Sequence, residues 1–124
     1  MLLNEILKVS EGILLTNTTN LEVQAKGAFA ADLMSDVLAS IQPEAILLTG
    51  LCNPQVVRTA LIADVKAIIF VRAKNPAPET IELANSEDVP LISSPLGLYE
   101  LSGRLHKAGL LSLEKRVDLP YDEN

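Results

Sequence analysis

Six polar or cationic side chains follow the ends of three apolar segments, and their types could bind a ligand. They are Thr49, Asn53, Arg72, Lys74, Ser93 and Ser94. In an open parallel sheet the carboxyl ends of the strands share one edge, and ligands bind at that edge. Hydroxyls, an amide and two cations placed together would suit a phosphate or a carboxylate. The alternative is ordinary helix capping, because Asn53 and Ser94 each precede a proline at a predicted helix start.

Few residues have the chemistry that catalysis requires. Asp32 and Asp36 stand one helical turn apart and could form an acid–base pair, but acids near a helix N-terminus are favourable without any further role. Cys52 precedes a predicted helix, which could lower its pKa, although free cysteines are more often small buried hydrophobes. His106 is the only histidine, and the end of a helix stabilises a cation at such a position. We predict no catalytic residue, no metal site and no cofactor.

Composition limits the class of protein. The chain has 124 residues, of which 48% are hydrophobic, and a formal net charge of −6, which suits one soluble domain. The acidic balance argues against a nucleic-acid partner. The longest strongly apolar run, residues 67–71, is too short to span a membrane, and the first residues lack the basic region of a signal peptide. The prediction is a cytoplasmic protein without a nucleic-acid or membrane partner.

The elements that must position these side chains alternate between strand and helix. Apolar spacing predicts helices over 2–10, 32–41, 53–62, 79–85 and 94–108, with Gly109 as a stop. Apolar runs predict strands over 13–15, 21–29, 45–49, 66–71 and 89–92. This order predicts an α/β protein, a single three-layer α/β/α domain with a mostly parallel sheet. The 21–29 strand is the candidate for an antiparallel edge.

Two details of the helices and the tail complete the prediction. Leu33 and Leu38 are placed on the inner stripe of their helix, and Leu61 and Ile62 are predicted to face the core. The tail, residues 111–124, has no clear period. It either docks on the body of the domain or reaches a neighbouring subunit.

Several stretches of the chain resemble a known family. AKGAFAADLMSDVLA, residues 25–39, and the ending PLISSPL…ELSGRL, within residues 90–105, are similar to the DRTGG domain. The resemblance covers residues 1–110, nearly the whole chain, and is closest to small stand-alone bacterial members. It implies the fold of the N-terminal domains of HPr kinase and the MurF ligase, which agrees with the fold predicted from the alternation of elements.

The resemblance also implies a function. Such domains are associated with regulation and assembly, and stand-alone members are often encoded near iron-only hydrogenases and histidine-kinase-like ATPases in anaerobes. The chain departs from the motif that names the family. It has residues 51–54 (LCNP) where the Asp-Arg pair would fall, and 71–74 (VRAK) where Thr-Gly-Gly would follow the next strand. No ligand role of those motif residues is therefore transferred.

The sequence leaves three functions open. The first is a non-catalytic regulatory or adaptor domain that binds a partner protein as a homodimer, in hydrogenase or redox metabolism. The alternative is a small-molecule sensor that binds a nucleotide or another anion at the strand ends. A small enzyme using Cys52 or the Asp32/Asp36 pair is the third.

Overall fold

A computed structural model describes residues 1–120, which form five strands and five helices. The strands are β1 Ile13–Leu14, β2 Gly27–Ala30, β3 Ala45–Thr49, β4 Ala67–Phe70 and β5 Leu91–Ser93. The helices are α1 Leu3–Val9, α2 Met34–Ser40, α3 Pro54–Ile62, α4 Pro78–Ser86 and α5 Leu98–Lys107. The strands form one sheet in the order β1-β5-β4-β3-β2. Strands β2 to β5 are parallel and β1 is antiparallel to β5, so the predicted mostly parallel sheet is confirmed.

Helices cover both faces of the sheet because the strands are apolar on both faces. Alternate residues of β3 enter two separate cores: Leu47 packs with α2, α3 and α4, and Leu48 packs with α1 and α5. All five residues of β3 are buried. The three-layer α/β/α architecture is therefore confirmed.

The antiparallel edge was predicted at the wrong strand. β2 lies at an edge of the sheet but runs parallel to β3, and the antiparallel edge is β1. Residues 21–25 keep the predicted alternation of buried and exposed side chains, yet they pair with the start of α1 instead of a strand. The carbonyls of Val23 and Leu21 accept bonds of 2.9 Å from the amides of Leu3 and Asn4. Those amides belong to the first turn of α1 and have no partner within the helix.

Two helices begin two or more residues later than predicted. α2 begins at Met34, with Leu33 at its N-cap, because the Asp32 side chain binds the end of β3 instead of capping the helix. α5 begins at Leu98, with Gly97 at its N-cap, four residues after the predicted start at Ser94. The stop at Gly109 is confirmed: its φ is +107°, a conformation that glycine adopts easily at a helix end.

Four side chains that were predicted to face inward are exposed. Leu33, at the N-cap of α2, is 61% exposed, Leu38 49%, Leu61 41% and Ile62 74%. In α3 the buried residues are Val56, Val57, Thr59 and Ala60. Ile62 follows Ala60 by two residues, which places it about 200° around the helix.

The described part of the tail docks on the body of the domain. The carbonyl of Leu111 accepts a bond of 2.8 Å from the amide of Ala28, and the amide of Leu113 donates to the carbonyl of Ala28 at 2.9 Å. The amide of Lys115 donates to the carbonyl of Ser40 at 2.7 Å. Residues 111–115 thus cover the free edge of β2, while the predicted tail residues 121–124 lie outside the described part of the chain.

Candidate functional site

The carboxyl ends of the parallel strands converge around Gly50, the buried residue that follows β3. A side-chain carbon at this glycine would stand 3.4 Å from the Lys74 Nζ, 3.6 Å from the Asp32 Oδ1 and 3.7 Å from an Arg72 Nη. Two cations and one carboxylate therefore surround the end of β3. We call Asp32, Thr49, Gly50, Arg72 and Lys74 the rim.

Asp32 binds the end of β3 directly. Its Oδ1 accepts a bond of 2.7 Å from the amide of Gly50 and one of 3.0 Å from the Thr49 hydroxyl. The bond from Gly50 is the main cause that lowers the pKa of Asp32; Thr49 and the charges of Lys74 and Arg72 add to it, and partial burial opposes it. The carboxylate therefore stays ionised near neutral pH and neutralises part of the positive charge of the rim.

The ionised Asp32 makes stability depend on acid pH. Because its folded-state pKa lies below the ordinary value of 3.8, its contribution is fully present above that value and is lost as the pH falls through the folded pKa. In urea denaturation, we expect the free energy of unfolding of the wild type to exceed that of Asp32→Asn by a constant amount from neutral pH to about 5. Below about pH 4 this difference should shrink. Asp36→Asn, at an exposed position of α2, is the control. A difference that persists unchanged in acid would contradict this role of Asp32.

A tight turn places the two cations. Arg72 and Ala73 both have positive φ, +55° and +53°, and the amide of Lys74 donates to the carbonyl of Val71 at 3.2 Å. The turn is fixed to the segment after β5: the amide of Ala73 donates to the carbonyl of Ser94 at 2.7 Å, and the Ser93 hydroxyl donates to the carbonyl of Lys74 at 3.1 Å. The Lys74 ammonium in turn donates to the carbonyl of Gly50 at 3.0 Å.

Glycine should suit this turn better than alanine. A left-handed conformation costs a residue with a side chain about 1–2 kcal/mol, and glycine avoids that cost but is more flexible when unfolded. We expect Ala73→Gly to raise the free energy of unfolding by about 1 kcal/mol, measured by urea denaturation. Ala39→Gly, at an exposed position inside α2, should lower it by about 1 kcal/mol. Destabilisation by both variants would refute the strain at Ala73.

The other predicted site residues are placed differently. Ser94 is fully buried; its hydroxyl donates to the carbonyl of Ser10 at 2.6 Å and accepts from the amide of Leu96 at 3.2 Å. The Ser93 hydroxyl is held by the turn described above. Asn53 is exposed at the start of α3 and makes no side-chain capping bond, so neither Asn53 nor Ser94 caps a helix through its side chain. Of the predicted set, Thr49, Arg72 and Lys74 meet at the rim.

Two residues of this region were not predicted. Asp32 was assigned to a helix start, yet it lies two residues after the end of the parallel strand β2. That position is the signal that could have placed it at the carboxyl ends of the strands. Tyr99, at the start of α5, is 93% exposed. Together with Arg72 and Leu98 it lines an open depression beside the rim.

The remaining reactive side chains do not form a nucleophilic site. Partial burial is the main cause that raises the pKa of the Cys52 thiol, with Lys74 lowering it and Asp32 raising it, so its surroundings do not favour the reactive thiolate. His106 is exposed in the last turn of α5. Within residues 1–120 no group of three or more metal-ligating side chains comes together. In that same range no helix is long and apolar enough to cross a bilayer.

Comparison with models of known families shows to which family the chain belongs. The model of the DRTGG domain matches residues 5–108. The chain belongs to the DRTGG domain family. In this DRTGG domain, residues 71–74, where the Thr-Gly-Gly of the family was expected, contain the two positive φ angles at Arg72 and Ala73. That conformation is the one that glycine favours.

A solved structure shares the fold of this DRTGG domain. It contains the CBS and DRTGG domains of the regulatory region of Clostridium perfringens pyrophosphatase, complexed with the activator diadenosine tetraphosphate. The TM-score is 0.69 at 17% sequence identity, and the match covers 94% of this chain. The chain spans 55% of the length of that one. No functionally curated protein matches the sequence.

Proposed function

We propose that this chain is a non-catalytic regulatory domain that binds a partner protein and does so as a homodimer. Its family membership and the regulatory region that shares its fold support the regulatory role. The observation that carries partner binding is the open depression beside the rim, where Tyr99, 93% exposed, lies with Arg72. Tyrosine and arginine are the residue types that contribute most often to the binding energy of protein interfaces.

The first experiment measures mass and capture together. Light scattering at micromolar concentration should give the mass of a dimer, and a monomer mass would contradict the homodimer. Affinity capture from the native cell should retain a protein that is lost with Tyr99→Ala. Ile13→Ala is the control, because it truncates another exposed apolar side chain (65% exposed), on the edge strand β1. This variant should still capture the partner protein. Equal capture by both variants would exclude Tyr99 as a contact. A partner from hydrogenase or redox metabolism is part of this proposal.

A second function is the binding of an anionic ligand, such as a nucleotide, at the rim. The convergence of Arg72 and Lys74 on Gly50 favours it, and the pyrophosphatase region with the same fold was crystallised with a nucleotide activator. Thr49 lies at the rim with the two cations, whereas Ser93 and Ser94 hold the turn that carries those cations through their bonds to Lys74 and Ala73. Asn53, exposed at the start of α3, is a further contact in this proposal. Because Asp32 offsets one of the two positive charges, we expect anion binding to weaken with salt, but less steeply than it would at two unopposed cations.

Thermal unfolding against a panel of nucleotides, phosphates and carboxylates tests this second function. A ligand at about a hundredfold excess over its Kd should add about 2.7 kcal/mol, which moves the midpoint by roughly ten degrees. The double variant Arg72→Glu, Lys74→Glu should abolish that shift. Arg58→Glu, Lys115→Glu makes the same change of charge at exposed positions of α3 and the tail and should keep it. A panel without any shift would leave partner binding as the function.

A further inference from the structure

A second cavity lies at the other end of the parallel strands from the rim, next to the residues that precede β4 and β5. It has a volume of about 490 Å³, within the range of small-molecule sites. Segment 16–20, the last turns of α3 and α4, and the residues that lead into β4 and β5 line it. None of these residues belongs to the rim, so the cavity is independent of the function proposed above.

Segment 16–20 (TNTTN) forms one wall and consists entirely of side chains that hydrogen-bond without charge. Both neighbouring elements hold it in place. The Thr16 hydroxyl accepts from the amide of Leu91 at 3.2 Å, and the amide of Asn17 donates to the Asn85 Oδ1 at 2.8 Å. A wall fixed in this way keeps the cavity open without a ligand, which lowers the cost of binding.

The floor of the cavity is apolar and its entrance is negative. Leu61, which is 41% exposed, lines the cavity, and the buried core residues Ala60, Val65, Ala84 and Val89 lie beneath this apolar surface. Helices α3 and α4 both end here, and a helix C-terminus carries partial negative charge. The first residue beyond each C-cap is acidic: Asp64 follows α3, and Asp88 follows α4.

These two acids stand where stability alone would favour other residues. Both have positive φ, +54° for Asp64 and +56° for Asp88, in the position where helices prefer glycine or asparagine. A negative charge at a helix C-terminus is also unfavourable. The cavity lining also includes a third acid, Glu87, and a cation, Lys66. The Lys66 Nζ lies 4.0 Å from the Asp64 Oδ1. The potential in the cavity therefore attracts cations.

We infer that this cavity binds a small organic cation, an aliphatic diamine whose carbon chain lies on the apolar floor, with one ammonium group toward Asp64 and Asp88 and the other toward segment 16–20. The hydroxyls and amides of segment 16–20 supply acceptors for the remaining N–H groups. A metal ion would not use the apolar floor, and an anion would meet both helix C-termini.

Calorimetric titration with putrescine tests the inference, with butane-1,4-diol as the uncharged ligand of the same chain length. We expect putrescine to bind and the diol to bind at least about tenfold more weakly. The double variant Asp64→Asn, Asp88→Asn should weaken putrescine binding by at least about tenfold. Asparagine has the shape of aspartate and tolerates positive φ, so this variant should fold. Asp36→Asn, Glu79→Gln removes the same charge at exposed positions in the first turns of α2 and α4 and should bind as the wild type does.

Each result decides the matter. Loss of binding in the Asp64/Asp88 variant alone supports the site. No heat with putrescine in the wild type, equal binding of the diol, or equal loss in both double variants would overturn it. The unfolding midpoint without ligand, measured on the same samples, confirms that each variant is folded.

Discussion

Gly27→Ala is expected to lower the free energy of unfolding by about 3 kcal/mol. A methyl group at this position would stand 2.5 Å from the carbonyl oxygen of Leu111 and 2.6 Å from the Leu113 Cγ. The first is a backbone atom held against β2 by the amide of Ala28, so no side-chain rotation relieves the clash. Residues 111–115 must then move off the edge of the sheet and lose their hydrogen bonds to β2 and α2.

Urea denaturation measures the loss for Gly27→Ala, and hydrogen exchange at residues 111–115 locates it. Gly103→Ala is the matched control, because a methyl group there meets no atom within 4 Å. Gly103 lies inside α5, where alanine favours the helix by about 1 kcal/mol. The two identical substitutions should therefore act in opposite directions. If Gly27→Ala leaves stability and exchange unchanged, the docking of the tail on β2 is refuted.

Phe70→Ala is expected to lower the free energy of unfolding by about 4 kcal/mol. Phe70 is fully buried at the end of β4 and packs in the core that α2, α3 and α4 cover. Truncation removes its transfer free energy and leaves a cavity among rigid strands, which cannot collapse to fill it. Its carbonyl accepts from the amide of Ser94 at 2.9 Å, immediately before the turn that carries Arg72, so we also expect weaker order at the rim.

Thermal unfolding measures the effect of Phe70→Ala, for which we expect the midpoint to fall by roughly 15 °C. Tyr99→Ala, which truncates an aromatic ring that is 93% exposed, should change stability by less than about 0.5 kcal/mol. Similar losses for both variants would mean that the core does not depend on Phe70.

The fold followed from the sequence because hydrophobic periodicity is a local signal. The runs at 45–49 and 66–71 are apolar on both faces, and only a sheet covered on both sides buries them. The edges were harder to predict. Alternation at 21–25 reports that one side is buried but not what pairs with it, and here the partner is the first turn of α1. The start of α5 failed for a similar reason: Ser94 precedes a proline, yet its hydroxyl binds Ser10, 84 residues away.

The candidate site shows the same division. Thr49, Arg72 and Lys74 could be assigned to the strand-end edge because each follows an apolar strand. Asp32 also follows a strand, but acids are favourable in the first turn of a helix without any further role, and that local explanation was preferred. The cavity beneath segment 16–20 escaped prediction altogether, since a turn-rich sequence indicates a loop without indicating what lies under it.

The pairing of β1 with β5 has a consequence for synthesis on the ribosome. β1 joins the sheet only through β5, with Ile13 opposite Ser93. Strands β2, β3 and β4 are neighbours in both sequence and space, so they can assemble as they emerge, whereas β1 must wait until residue 93 has been translated and has left the exit tunnel. Closing a contact over that separation is slow relative to local pairing. The nascent chain should thus resist protease at β3 before it does at β1.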